Sequence, residues 1–224
     1  MKRDRNRSAC EPPPWDVLDA ANRYYSEKLR TYGPTPKGVD WNGAESQNRR
    51  FEQLVSLFRE CRSFSLNDIG CGYGALLEFL ASRGHDIDYR GYDISNDMVQ
   101  TARSRHPARR NAVFSRGSRP NEAADYSVAS GIFNVKAGAN DADWLQYMHG
   151  ALDEMNRFSI RGFAFNCLST YSDADRRRAD LYYADPRHLF HRCMTRYARN
   201  VGLLHDYGLH EFTILVRKNE ESIS

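Results

Sequence analysis

From Phe64 to Arg217 the chain alternates between short apolar runs and longer amphipathic ones, the rhythm of strands joined by helices. The first run, Phe64-Ser-Leu66-Asn-Asp68-Ile69, is strand-like and ends at Gly70, ahead of a helical stretch from Ala75 to Arg83. A second strand is predicted at Asp88-Tyr-Arg-Gly-Tyr92, ending in Asp93, with a helix over Asn96 to Arg105 behind it. Further strands are predicted at Ala112 to Ser115, Tyr126 to Ser130 and Gly162 to Cys167, with a helix from about Asp141 to Arg157 before the last. At the C-terminal end, Val201 to Tyr207 and Glu211 to Arg217 are strand-like and separated only by Gly208-Leu-His210. That gap is too short for a parallel crossover, so the two must pair antiparallel. Upstream, Trp15, Leu18, Ala21, Tyr25 and Leu29 recur at helical spacing, and Phe51, Leu54, Val55 and Phe58 give a second helix from Ala44 to about Cys61. A glycine- and proline-rich loop, Thr31 to Gly43, joins them.

The junction between the first strand and its helix carries the chemistry. Asp68-Ile-Gly70-Cys71-Gly72-Tyr-Gly74 is a turn whose alternate glycines allow positive φ and a close approach of ligand to backbone. Gly70, Gly72 and Ala75 also satisfy the loose dinucleotide pattern, in which pyrophosphate rests on a helix N-terminus. Asp68 argues against phosphate, because a carboxylate two residues before the first glycine would repel it. The same carboxylate suits a phosphate-free ligand with a cationic end, such as S-adenosylmethionine.

This stretch resembles the first motif of the class I S-adenosylmethionine-dependent methyltransferases, acidic-x-Gly-x-Gly-x-Gly, which Asp68, Gly70, Gly72 and Gly74 match position by position. A second match follows at Asp93-Ile94-Ser95, about 20 positions after the turn, where an acidic residue is placed to accept ribose hydroxyls. The resemblance implies S-adenosyl-L-methionine as cofactor, Asp93 on its ribose and Ile94 on its adenine. It also implies cofactor contacts for Cys71 and for Ser130 and Gly131 at the end of the fourth strand. Many relatives carry an acidic residue after the third strand to bond the adenine amino group. Here the stretch is Arg116-Gly117-Ser118-Arg119, which leaves Ser118 as a weaker acceptor. Trp41 is a candidate for cation–π contact with the sulfonium, with simple packing onto the domain as the alternative. The resemblance spans about Asn67 to Arg217. It implies an α/β fold, a Rossmann-like methyltransferase sandwich: a mostly parallel seven-stranded sheet closing in an antiparallel C-terminal hairpin, with helices on both faces. The expected division is a mobile basic and proline-rich tail (1–14), a helical cap and lid loop (15–62), the methyltransferase domain (63–218) with an insertion at about 169–191, and a short tail (219–224).

Composition sets bounds on this picture. A length of 224 residues suits one domain with a full core. No apolar run is long enough to cross a membrane, and the basic N-terminus is not followed by an apolar signal region. Five cysteines, scattered and odd in number, lack metal-ligand spacing, so no metal is expected and a reducing cytoplasm fits best. A net charge of +3 gives no argument for nucleic acid.

Methyl transfer is an in-line displacement, so the acceptor should lie over the carboxyl ends of strands four and five. Phe133, Asn134, Asn166, Tyr171 and Tyr183 are the candidates there, with Tyr32 from the N-terminal loop. The fourth strand ends in Ser130-Gly131-Ile132-Phe133, without the Asn/Asp-Pro-Pro-aromatic motif of base amino-methyltransferases. Cys167 lacks the context of a cytosine-carbon nucleophile and reads as core. His188 and His191, three apart on one helical face, are the candidate bases, with capping or packing as the alternative. Arg176, Arg177 and Arg178 either greet an anionic acceptor or form a solvated turn. The expected activity is methylation of a small-molecule acceptor at oxygen or nitrogen. The alternatives are an RNA or protein methyltransferase and a non-catalytic S-adenosylmethionine-binding protein.

Overall fold

The computed structural model describes residues 15–58 and 61–218, so the expected tails at 1–14 and 219–224 lie outside the described residues. The N-terminal elements are α1 (Trp15–Tyr32), a short 3-10 helix (Pro36–Val39) and α2 (Ala44–Val55). The alternating body follows as β1 (Ser63–Ile69), α3 (Ala75–Ser82), β2 (Asp86–Asp93), α4 (Asn96–Arg105), β3 (Ala112–Arg116) and β4 (Ala124–Ala129). It continues with α5 (Asp141–Phe158), β5 (Ser159–Leu168), α6 (Pro186–Arg196), β6 (Asn200–Leu204) and β7 (Glu211–Arg217).

The strands form one seven-stranded sheet in the order β3-β2-β1-β4-β5-β7-β6. Strands β1 to β5 run parallel, and β7 pairs antiparallel with both β5 and β6. The expected C-terminal hairpin is therefore present and inserts its second strand beside β5. Residues 162–167 of β5 are buried without interruption, as in a strand covered on both faces. One core packs Phe51, Leu54, Leu76, Leu80 and Val99 from α2, α3 and α4 against β1 and β2, and the other packs Trp144, Met148, Leu189 and Cys193 from α5 and α6 against β5 and β7. Among the described residues no helix is long and apolar enough to cross a membrane.

Two local outcomes differ from expectation. Helix α2 ends at Val55, and the chain turns so that Phe58 enters the core against Phe64 and Tyr126, with ring centroids 4.3 and 5.3 Å away. The stretch expected as an insertion at 169–191 ends in a regular helix, which leaves residues 169–185 as loop around a short 3-10 helix (Ala174–Arg176). Asp185 accepts a hydrogen bond from the Arg187 N–H at 2.9 Å, Pro186 supplies the first turn, and α6 packs on β6 and β7.

Candidate functional site

Strand order reverses between β1 and β4, and the crevice at such a switch point opens at the carboxyl ends of the strands. A cavity lies there. Its floor is Asp68, the turn from Gly70 to Tyr73, Asp93 and Ile94 after β2, Gly117 and Ser118 after β3, and Ser130 to Ile132 after β4. Its roof is Leu18, Ala21 and Tyr25 of α1 with Val39 and Trp41 of the following loop, and Gln47, Phe51, Trp144 and Tyr147 close the sides.

Among the described residues, the only charged side chains in this lining are Asp68 and Asp93, both buried. Asp68 accepts a hydrogen bond from the Tyr89 hydroxyl at 2.5 Å, and burial pushes its carboxyl up to about 7 against the lowering effect of that bond. Asp93 binds the turn to the next helix: Oδ2 accepts the Gly72 N–H at 2.9 Å and Oδ1 accepts the Ser95 N–H at 2.8 Å. Burial raises Asp93 to about 6, offset in part by these two bonds. Desolvation also pushes the Cys71 thiol and the Tyr25 hydroxyl up, and raises Tyr147 to about 12. The two carboxylates are thus the lining groups that change charge near neutral pH.

The turn uses its own donors. The N–H groups of Gly70 and Cys71 both go to the Tyr92 carbonyl at 2.7 and 3.1 Å, and that of Gly74 goes to the Cys71 carbonyl at 3.0 Å. With Gly72 bonded to Asp93, little backbone is left to cradle a pyrophosphate, and two buried carboxylates would repel one. Glycine is required at two places. A Cβ at Gly70 (φ 73°) would lie 2.1 Å from Ile132 Cγ2, and one at Gly131 (φ 81°) would lie 2.5 Å from the Trp41 ring.

Of the residues expected to face a cofactor, Asp68, Gly70, Cys71, Gly72, Asp93, Ile94, Ser118, Ser130, Gly131 and Trp41 line the cavity. Gly74 does not: it caps α3 and backs onto the His106 ring. Trp41 already has a cationic partner, since the Arg50 guanidinium sits 3.8 Å over its ring. None of the expected acceptor residues lines the cavity. Phe133 and Asn166 are fully buried behind its wall, where Asn166 Oδ1 accepts the Gly131 N–H at 2.7 Å. Asn134 is buried too, and its Oδ1 accepts the Leu168 N–H at 3.1 Å. Tyr32 and Tyr171 point to solvent, and the Tyr183 hydroxyl accepts the Arg178 N–H at 3.0 Å. His188 and His191 are exposed on α6, off the stripe formed by Leu189 and Cys193, and do not reach the cavity. The anchoring of α6 on β6 and β7 is what turns them outward.

Tyr25, Gln47 and Tyr147 were not anticipated. The two tyrosines fall on apolar helical stripes and read as core. Gln47 had a signal: it sits four residues before Phe51 on the buried stripe of α2, where a polar side chain needs a reason. Its Oε1 accepts a hydrogen bond from the Tyr73 hydroxyl at 3.2 Å. The roof is held down by polar contacts. Asp40 accepts bonds from Tyr24 at 2.7 Å and Lys28 at 2.8 Å, and Ser26 and Ser95 share a buried bond of 2.8 Å. Among the described residues no group of three His, Cys, Asp or Glu side chains could hold a metal ion.

Residues 67–157 match the family model described as "Methyltransferase domain". Over 155 residues the chain is 56% identical to "Putative methyltransferase Rv1506c" of Mycobacterium tuberculosis (strain ATCC 25618 / H37Rv), covering 69% of this chain and 93% of that protein. Among solved structures it is similar to magnesium protoporphyrin IX methyltransferase from Synechocystis PCC 6803 with bound SAH, at TM-score 0.62 and 13% identity, covering 91% of this chain and 99% of the other. It is also similar to human N-acetylserotonin methyltransferase in complex with SAM, at TM-score 0.59 and 18% identity, covering 92% of this chain and 60% of the other.

Proposed function

The chain belongs to the class I S-adenosylmethionine-dependent methyltransferases, and from that premise we propose that it methylates oxygen or nitrogen of a small, uncharged and largely apolar acceptor. The observation that carries this reading is the lining itself: a roofed cavity to which the described residues bring no lysine, arginine or histidine and whose charged groups among them are two carboxylates. S-adenosylmethionine supplies a methyl group activated on a cationic sulfur. The chain's residues supply seat, alignment and dryness. In this reading Asp93, steadied by Gly72 and Ser95, accepts the ribose hydroxyls, Ile94 and Met98 pack on adenine, and Asp68 faces the cationic end. The hydroxyls of Tyr25 and Tyr147, which have no partner among the described residues, offer polar contacts to the acceptor. An anionic acceptor would find no cation among the described lining residues to meet it, and an RNA acceptor calls for an open basic groove instead.

The experiment is calorimetry with S-adenosylmethionine, together with transfer of radiolabelled methyl across a fractionated metabolite extract. Binding with incorporation into a small organic-soluble product is the expected result; binding without any transfer would favour a non-catalytic protein. Asp93→Ala should weaken cofactor binding by roughly 2–4 kcal/mol, since charge-assisted bonds are lost and the turn is loosened. Unchanged affinity in that variant would move the cofactor elsewhere.

A further inference from the structure

A cofactor with an amino-acid end brings a carboxylate into this cavity as well as positive charge, and among the described residues the lining has no cation to pair with it. A carboxylate taken out of water without donors is strongly disfavoured. The glycines of the turn cannot serve, because the N–H groups of Gly70, Cys71, Gly72 and Gly74 are spent on Tyr92, Asp93 and Cys71, which leaves the turn only the Tyr73 N–H without a partner among the described residues.

Two features answer the need. The first is the N-terminus of α3, which starts at Ala75 with no side-chain cap on its free N–H groups, and whose Ala75 and Leu76 line the cavity. The second is Gln47. Its side chain is only 6% exposed and lines the same cavity, and its Oε1 is taken by the Tyr73 hydroxyl. No described residue accepts a hydrogen bond from its Nε2, so that amide donor opens onto the ligand space. Tyr73 belongs to the turn that leads directly into α3, so this one hydrogen bond fixes the amide beside the helix N-terminus. Resting on the reading of this cavity as the S-adenosylmethionine site, we propose that Gln47 Nε2 and the N-terminus of α3 together seat the cofactor's carboxylate, with Gln47 as a specificity-determining residue.

A neutral amide at this point has a consequence. The anion is held by short-range donors and the helix dipole, and the cavity keeps the net negative charge of Asp68 and Asp93. That field remains available to the cationic part of the ligand, where an arginine at position 47 would cancel part of it.

The test is calorimetry on the full chain with two ligands that share adenine, ribose and sulfur. S-adenosylhomocysteine carries the amino-acid end, and 5′-methylthioadenosine lacks it. Gln47→Ala should weaken S-adenosylhomocysteine about tenfold and leave methylthioadenosine within about twofold, as expected for loss of one hydrogen bond to a charged group. Gln47→Glu keeps size and the acceptor for Tyr73 but sets a carboxylate against a carboxylate. It should weaken S-adenosylhomocysteine on the order of a hundredfold, again sparing methylthioadenosine. Equal losses for both ligands, or no loss for S-adenosylhomocysteine, would overturn the assignment. Because Gln47→Glu preserves packing, it decides the matter if Gln47→Ala does not fold. A wild-type chain that binds neither ligand would overturn the cofactor reading itself.

Discussion

Two stretches of this chain look equally like lids in sequence, and only one of them covers the cavity. Residues 31–43 and residues 169–191 are both loop-rich, aromatic and next to the expected strand ends. The first is drawn over the glycine turn. Val39 comes so near that a Cβ on Gly72 would sit 3.2 Å from it, and Trp41 packs on Gly131 under the Arg50 guanidinium. The second is drawn away, because its distal half becomes α6 and buries Leu189 and Cys193 against the far end of the sheet. What separates them is the anchor. Arg50 is 8% exposed and makes two hydrogen bonds, at 2.8 and 2.6 Å, to Glu211, which is 1% exposed at the start of β7. The other stretch reaches the roof through Arg178, which is 47% exposed and bonds Asp180 and Tyr24.

The largest expected effect tests that contrast directly. Arg50→Ala strands a buried carboxylate and removes the support of Trp41, so it should cost about 3–5 kcal/mol of stability. Arg178→Ala, at an exposed site, should cost less than about 1 kcal/mol. Urea unfolding of both variants checks the pair, and similar losses would show that the two anchors are equivalent.

A second, intermediate effect is the pH dependence of cofactor binding. Asp68 and Asp93 have folded-state values near 7 and 6, raised by burial above the usual carboxylate range. In the ligand-free chain they therefore contribute stability that is complete below about pH 4 and lost as pH rises through 6 to 7. A cationic ligand reverses the preference, so its binding should release protons and weaken roughly tenfold per pH unit for each carboxylate as pH falls below its folded value. His149 runs the other way: burial lowers it to about 4, so its share of stability is present above about 6.5 and lost as pH falls towards 4. It lies outside the cavity lining, so the ligand-induced shift in melting temperature, measured at pH 5.5 and 8, isolates the carboxylates. A shift of equal size at both values would refute the linkage.

The smallest effect is at the stretch that was drawn away. His188→Ala and His191→Ala should leave methyl transfer within about twofold of wild type, because both are exposed on α6 outside the cavity lining, with the His188 ring stacked on His149. A hundredfold loss, the scale of general-base assistance, would return them to the reaction and require α6 to move.

Much of the fold was legible because its signals are local. The strand-turn-helix at Asp68 to Ala75, the acidic residue ending β2, and the short gap before Glu211 each fix geometry within a few residues. They gave the succession of parallel strands, the antiparallel close of the sheet and most of the cavity floor. The helix from Asn96 to Arg105 carries its own start in Ser95, whose side chain accepts the Met98 N–H at 3.3 Å. A cap and lid loop was expected over 15–62, but which of its side chains would line the cavity had no such local signal, and neither had the acceptor side. Tyr25 and Tyr147 follow the same apolar stripes as true core residues, and only the approach of α1 and α5 to the switch point turns them into cavity walls. Asn134 and Asn166 sit beside the site in sequence, yet the unpaired Leu168 and Gly131 N–H groups claim them for the scaffold. The chain by itself determined which turn would meet a ligand and which charges would stand there, since glycine φ and strand-end carboxylates are properties of a few neighbours. Which loop became the roof was decided by tertiary packing alone, because it turned on where the buried Arg50–Glu211 pair and the Leu189–Cys193 stripe found partners more than a hundred residues away or across the sheet.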